Sequence, residues 1–440
     1  MASEINKSIQ QYHPAAWKAL TELGKRIYLP KGIPLQAQQA AKCDINATIG
    51  QCTDDVGAPM PLPIMADKFQ NLDPKDVFLY TSQGGRKDLR AAWKEHILDD
   101  APQNINAESV ELSLPVVSAG LTHGLSLVAE LFVDEKTCVL LPNPRWDNYD
   151  LVFQVRRQGN IVDYDVMKIL DDTETSYPRR RAVFNSEGIL EQLRNQSKNY
   201  KKLVLSLNFP SNPSGYTPSA SEVHILISGL QDIVAEWKQK GSEHSLVILL
   251  DEAYKGMEWD KEYSITSSLF FQLKNLDRDY TVVCKVDGAT KEMFFFGGRI
   301  GFVSFAAHPE AQPALEEKVI GLMRSTISAL SSPSQIVLLK ALQSPLLLEQ
   351  QQSLRNILFE RYEVLRQVLQ QSSLDYWPFN SAFFCLIHCS TDPQEKRLQL
   401  IEQGLGVVSI PRTPAIRVSY STVPKEKIPR LVEILENETS

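Results

Sequence analysis

The chain has 440 residues, 43% hydrophobic and 22% charged, enough for two or three domains and a large core. Lys plus Arg number 46 against 53 Asp plus Glu, a formal charge of −7 that favours solubility and gives no support to a nucleic-acid partner. Residues 1–11 are polar without a signal-peptide core, no apolar run approaches membrane-spanning length, and the six cysteines are scattered without a CxxC pair or a histidine set. A cytoplasmic protein with reduced, buried thiols, no metal and no membrane contact is therefore expected.

In chain order, the opening reads as an amphipathic helix around 15–23, then a Pro-bearing extended segment at 28–34. A short strand at 44–50 ends in glycine, and the Pro-rich crossing at 57–63 is a candidate domain junction. Tyr80 precedes a Gly84-Gly85 turn that feeds a helix running to about Leu98. From Leu112 onward, β-rich apolar runs at 115–117, 138–141, 161–164, 203–207, 246–250, 282–286 and 301–305 alternate with helical patterns. Near-continuous apolar strands separated by helices predict a sheet covered on both faces, hence an α/β core. Residues 166–186 read as a surface excursion, with Arg179-Arg180-Arg181 as a solvated patch. After Pro309 helices dominate. The run 346–371 has no Gly or Pro and carries Leu354, Leu358, Leu365 and Leu369 as a core-facing stripe. Short strands at 383–387 and 416–419 precede a last helix at 425–435. The expected division is an N-terminal segment 1–58 belonging to a small α+β domain, a large α/β domain at 59–322, and the rest of the small domain at 323–440.

Five stretches carry chemistry. Lys291 follows a β-rich run and precedes an aromatic patch, Phe294-Phe295-Phe296, and a Gly297-Gly298-Arg299 turn. A lysine held against apolar neighbours loses basicity and can form a Schiff base with a carbonyl, while Arg299 among glycines suits a phosphate. A surface lysine beside a buried aromatic cluster is the competing reading. Asp251 ends the most apolar strand, where a carboxylate is costly unless it meets a cation; a pyridinium nitrogen is one such partner, and an Asp capping the next turn is the plainer role. Asn208 to Gly215 reads as a Pro/Asn turn at a strand's carboxyl end, presenting the Asn212 amide toward a ligand edge. Ser118 to Leu125 passes from strand to helix with small residues at the start, the composition of an anion site, and His123 there reads as a helix-start residue. Trp146 follows the next strand and would stack on a planar cofactor or simply fill core.

Lys291 with Arg299 and Gly301, the Asn212-Pro213-Ser214-Gly215 loop, Asp251-x-Ala253-Tyr254, Pro144-x-Trp146-x-Asn148-Tyr149 and Ile416-Arg417-Val418-Ser419 stand in the order and spacing of a known family. From about Asp44 to its end, the chain resembles the fold-type I, pyridoxal-phosphate-dependent class I/II aminotransferases. The wording Asp287-Gly288-Ala289-Thr290-Lys291-Glu292 with Asn46-Ala47-Thr48-Ile49-Gly50 is similar to a branch related to aspartate and aromatic aminotransferases. The resemblance implies a mostly parallel seven-stranded sheet covered by helices in the large domain. It implies pyridoxal 5′-phosphate bound covalently to Lys291, with Asp251 on the ring nitrogen, Tyr254 and Asn212 on the ring oxygen, and Trp146 on the ring face. Gly120, Leu121, Thr122 and Arg299 would hold the phosphate, with Tyr80 reaching it from the second subunit of a homodimer. Arg417 would clamp the substrate α-carboxylate beside Gly50, and Arg324, with Ser328 at the family spacing, would take a side-chain carboxylate. The implied activity is transfer of an amino group from a dicarboxylic or aromatic L-amino acid to a 2-oxo acid. A β-lyase or decarboxylase on the same scaffold, or a non-catalytic sensor, are the alternatives. Two positions depart from the family pattern: Gly288 replaces a serine, and Ala329 stands where asparagine is common.

Overall fold

The computed structural model describes residues 2–30, 32–169 and 182–439. All seven β-rich runs become strands of one sheet, in the order Val116–Ser118, Gly301–Ala306, Thr281–Asp287, Ser245–Asp251, Lys202–Asn208, Thr137–Asn143 and Asn160–Asp165. Gly301–Ala306 is antiparallel to both its neighbours, and the other pairings are parallel. This topology has a direct consequence for function. The carboxyl ends of the parallel strands, at Ser118, Asn143, Asn208, Asp251 and Asp287, share one edge with the start of the antiparallel strand, because Gly301 pairs with Ser118 and Phe302 with Asp287. Ligands in open α/β sheets bind at that edge.

Helices Leu121–Phe132 and Ala220–Gln239 connect strands of the sheet, the second opened by a capping box in which Ser219 and Glu222 bond reciprocally. Trp93, on helix Lys87–Asp99, stacks on Phe302 with ring centroids 4.3 Å apart and donates its indole N–H to Asp287 at 3.0 Å. That fully buried ring ties the helix to two strands, and its removal would cost about 3–5 kcal/mol.

The late chain forms a second, antiparallel sheet of Phe384–His388, Ala415–Ser419 and Val408–Ser409. Ile45–Asn46, early in the chain, pairs with Leu405–Gly406 beside it. Helix Leu347–Gln371 buries Leu358, Leu365 and Leu369, with Leu354 partly covered, as the stripe predicts.

Several local expectations need correction. The single helix expected over 15–23 is two short helices, Pro14–Ala19 and Glu22–Arg26, because Leu20 is extended and Thr21 caps the second. The segment at 28–34 is not extended throughout: helix Ile33–Gln39 begins within it, and Pro34 sits in the first turn, where a missing N–H costs nothing. The strand over 44–50 shrinks to two residues. In the excursion at 166–186, Met167–Ile169 pairs with Ala182–Phe184; Arg179, Arg180 and Arg181 lie outside the described residues. The last helix begins later, at Ile428, after a 3-10 turn at Lys425–Lys427. Among the described residues no helix is long and apolar enough to cross a membrane, and the cysteines are unpaired, all but Cys43 buried.

Candidate active site

Lys291 sits on the short helix Ala289–Glu292, one turn beyond the strand ending at Asp287. Its ammonium nitrogen lies 4.8 Å from the centre of the Tyr254 ring. Burial lowers its pKa to about 8; the negative charge of Asp251 opposes that shift and the positive charge of Arg299 adds to it. At neutral pH an appreciable fraction of this amine is therefore unprotonated.

Asp251 is 3% exposed at the end of its strand. Its Oδ2 accepts from the Tyr149 hydroxyl at 2.5 Å and its Oδ1 from the Ala253 N–H at 3.2 Å. Burial raises its pKa, while the Tyr149 bond and Lys291 pull in the other direction. A buried carboxylate with two neutral donors still lacks a full counter-charge, which a protonated ring nitrogen supplies. The neighbouring strand end adds a second link: Asn208 donates its side-chain amide to the Asp251 carbonyl and accepts the Asn212 N–H, both at 2.9 Å.

Asn212 joins two parts of the site. Its side-chain oxygen accepts from Arg417 Nη1 at 2.9 Å, and its side chain also hydrogen-bonds Tyr254. Arg417, on strand Ala415–Ser419, is 2% exposed, donates to the Thr48 carbonyl at 2.6 Å and lies 4.4 Å over the Phe384 ring. Its Nε has no partner among the described residues. Burial lowers its pKa to about 10, against the influence of Tyr254 and Asp147, so it stays charged at neutral pH. Gly50 runs between Phe384 and Tyr254: a Cβ there would stand 2.6 Å from the Phe384 ring and 3.6 Å from the Tyr254 hydroxyl.

At the start of helix Leu121–Phe132, Gly120 adopts φ +81°, and a Cβ on it would meet Arg299 Nη2 at 2.5 Å. The guanidinium thus lies across the helix N-terminus, whose free N–H groups in the Leu121-Thr122 turn already favour an anion. His123 turns back to accept the Ala119 N–H at 3.1 Å, the helix-start role expected for it. Gly288 packs where a Cβ would come within 2.5 Å of the Ile300 carbonyl and 2.6 Å of Gly301 Cα, which explains why this chain has no serine there. Two residues on, the buried Thr290 hydroxyl has no partner among the described residues.

Trp146 is half-buried, edge-on to Tyr149 at 5.7 Å, and lines a cavity of about 540 Å3 together with Asn212 and Arg417. Two expected residues stand apart from this group within the chain. Tyr80 is 97% exposed. Arg324 is exposed on helix Gln312–Thr326 and donates to the Ser328 hydroxyl at 2.6 Å. Of Phe294, Phe295 and Phe296, the first is buried and the others are half-buried, with Phe295 meeting Phe69 edge-on at 6.1 Å. The residues that sequence reasoning left without a role are Tyr149, Asn208, Phe384 and the Thr48 carbonyl. Tyr149, Asn208 and Thr48 stood inside quoted runs, Asn208 at a strand end and Tyr149 just before helix Asp150–Val155; nothing local marks Phe384.

This topology, with a low-basicity lysine, a buried aspartate and an arginine-crossed helix start on one sheet edge, defines the pyridoxal-phosphate-transferase fold. The chain belongs to the aminotransferase class I and II family, whose model matches residues 44–435. It is 25% identical over 225 residues to an aspartate aminotransferase of Bacillus subtilis, 51% of this chain and 48% of the relative. It is 24% identical over 303 residues to an aspartate aminotransferase of Geobacillus stearothermophilus, 68% and 63% of the two chains. The chain thus spans about half to two thirds of the length of these curated relatives. Among solved structures, an aminotransferase from Anaerococcus prevotii superposes with a TM-score of 0.80 at 21% identity, covering 94% of this chain and 98% of the other.

Pyridoxal 5′-phosphate is the cofactor of this family, and the residues present fit it. The glycine cradle under Arg299, the orphaned Thr290 hydroxyl, the under-compensated Asp251 and the unprotonated fraction of Lys291 are the donor set that a phosphorylated pyridine aldehyde requires.

Proposed function

We propose that this protein is a transaminase that moves an amino group from an L-amino acid to a 2-oxo acid. The observation that carries the reading is the gathering at one sheet edge of Lys291 over the Tyr254 ring, the buried Asp251 held by Tyr149, and Arg299 across the start of helix Leu121–Phe132. When bound, pyridoxal phosphate supplies the electron sink that makes the substrate Cα–H acidic. Lys291 would hold the cofactor and then carry the proton to and from Cα, for which an amine near neutral pKa is suited. Asp251, steadied by Tyr149, would keep a proton on the ring nitrogen. Tyr254 and Asn212 would bond the ring oxygen, and Trp146 would cover the ring face. Gly120, Leu121, Thr122, Thr290 and Arg299 would bind the phosphate. Arg417 would hold the α-carboxylate in bidentate fashion beside Gly50.

The finer reading follows the resemblance. By that resemblance one substrate of the two half-reactions is dicarboxylic or aromatic, with Arg324 for a second carboxylate or the Phe294 to Phe296 patch for a ring. The division 1–58, 59–322 and 323–440 describes the two domains, the protein works in the cytoplasm, and it is a homodimer. Tyr80, exposed in its own chain, would reach the partner's phosphate, as its place before the Gly84-Gly85 turn supports. A half-reaction screen tests the function: the holoenzyme is mixed with single amino acids, and the cofactor absorption shifts as its amino form accumulates. A protein that converts with no amino acid is not a transaminase.

A further inference from the structure

The cavity beside Arg417 contains a charge that the reading above does not use. It is enclosed by the turn at 144–147, the Asn212-Pro213 turn, the stretch from Gly32 to Gln36, and residues 408–414. Most of its ions are committed elsewhere. Arg145 is paired with Asp150 at 2.7 Å and Asp163 at 2.8 Å, and Arg412 lies 4.0 and 3.7 Å from the same two carboxylates. Asp392 caps the helix Pro393–Glu402, accepting two backbone N–H groups at 2.9 Å.

Two ions remain. Arg417 is buried, and its Nε is without a partner among the described residues. Asp147 is half-buried and, among the described residues, forms no ion pair; its Oδ2 rests against Gly32, where a Cβ would stand 2.1 Å away. Burial raises the pKa of Asp147, while the charge of Arg417 and backbone N–H bonds from Asn148 and Asp147 itself oppose that; Asp147 and Arg417 both line the cavity and form no ion pair with each other. A half-buried carboxylate is stabilised most by a cation that enters with the ligand. With Arg417 occupied by an α-carboxylate, the complementary ligand carries a positive charge at its other end.

We propose, on the reading of this protein as an aminotransferase, that Asp147 is a specificity-determining residue selecting amino donors with a cationic side chain. The α-carboxylate sits on Arg417 and the distal ammonium or guanidinium on Asp147, as in lysine, ornithine or arginine. A side-chain carboxylate placed here would meet the like charge of Asp147, so a dicarboxylic partner in the other half-reaction turns its second carboxylate elsewhere, Arg324 being the cation suggested for it.

Two measurements on the holoenzyme test this. In single-turnover half-reactions, kcat/KM for lysine or ornithine is expected to exceed that for norleucine by tenfold or more. Asp147→Asn is expected to abolish that ratio and Asp147→Glu to retain part of it. Calorimetry provides a readout independent of turnover: 6-aminohexanoate is expected to bind at least tenfold tighter than hexanoate, with the preference lost in Asp147→Asn. Equal binding of the two acids by the unmodified protein, or a lysine to norleucine ratio unchanged by Asp147→Asn, overturns the proposal and leaves the aminotransferase reading intact. Retained preference for 6-aminohexanoate with no amino acid converted overturns the aminotransferase reading and supports the subsite.

Discussion

The Tyr149 hydroxyl donates to Asp251 Oδ2 at 2.5 Å, and both groups are buried at the sheet edge. A donor to the charged carboxylate lowers its pKa and fixes its orientation, whereas burial raises it. Tyr149→Phe is therefore expected to retain cofactor and lower kcat by one to two powers of ten, the equivalent of about 1.5–3 kcal/mol for a hydrogen bond to a charged group. Steady-state kinetics on the purified variant measures it. Asp251→Asn, which cannot keep a ring nitrogen protonated, is expected to lose far more activity.

The basicity of Lys291 depends on two named neighbours. Burial brings its pKa to about 8, with Asp251 raising it and Arg299 lowering it. In the cofactor-free protein, acylation mapped to Lys291 should rise with pH and reach half its maximal rate near pH 8. Asp251→Asn should shift that midpoint down and Arg299→Ala should shift it up. Because the unfolded chain holds this proton more tightly, the group also adds folding stability as pH rises from about 8 toward the ordinary lysine value. A midpoint that ignores both substitutions would separate the lysine from the site.

Where the family pattern has a serine this chain has Gly288, and the unpartnered Thr290 hydroxyl two residues on is the group proposed to replace it. Gly288→Ser is expected to destabilise the fold by about 1–3 kcal/mol, because the added atoms meet the backbone of Ile300 and Gly301 rather than a movable side chain. Thermal melting of the cofactor-free variant measures the loss. Thr290→Val should leave that melting point nearly unchanged and weaken cofactor binding, read by equilibrium dialysis against pyridoxal phosphate.

Arg417 and Arg324 differ in exposure and should differ in effect. Arg417→Ala is expected to lower kcat/KM on the order of a hundredfold for every donor, since each has an α-carboxylate and loses a buried charged pair. Arg324→Ala is expected to act selectively on dicarboxylic substrates. Equal effects of Arg324→Ala on glutamate and phenylalanine would leave Arg324 as a surface residue bonded to Ser328.

What was legible in the sequence followed from locality. The seven strands could be read because each is a continuous apolar run, and Lys291, Asp251 and Asn212 because each ends or follows such a run. The short pieces near the start differ from the expected elements because Leu20 and Pro34 act through a single turn's geometry, below the length at which periodicity is informative. Phe384 beneath Arg417 and the Thr48 carbonyl at its tip are partners set by tertiary packing, separated from it along the chain, and no residue type announces them. Gly288 departs from the family's serine, and only the backbone packed against it shows why a side chain is excluded.

Borohydride reduction of the holoenzyme followed by peptide mapping tests whether Lys291 holds the cofactor. The expected result is a yellow protein whose reduced pyridoxyl label falls on Lys291 and disappears in Lys291→Ala together with turnover. A label on another lysine, or undiminished turnover by Lys291→Ala, would contradict it.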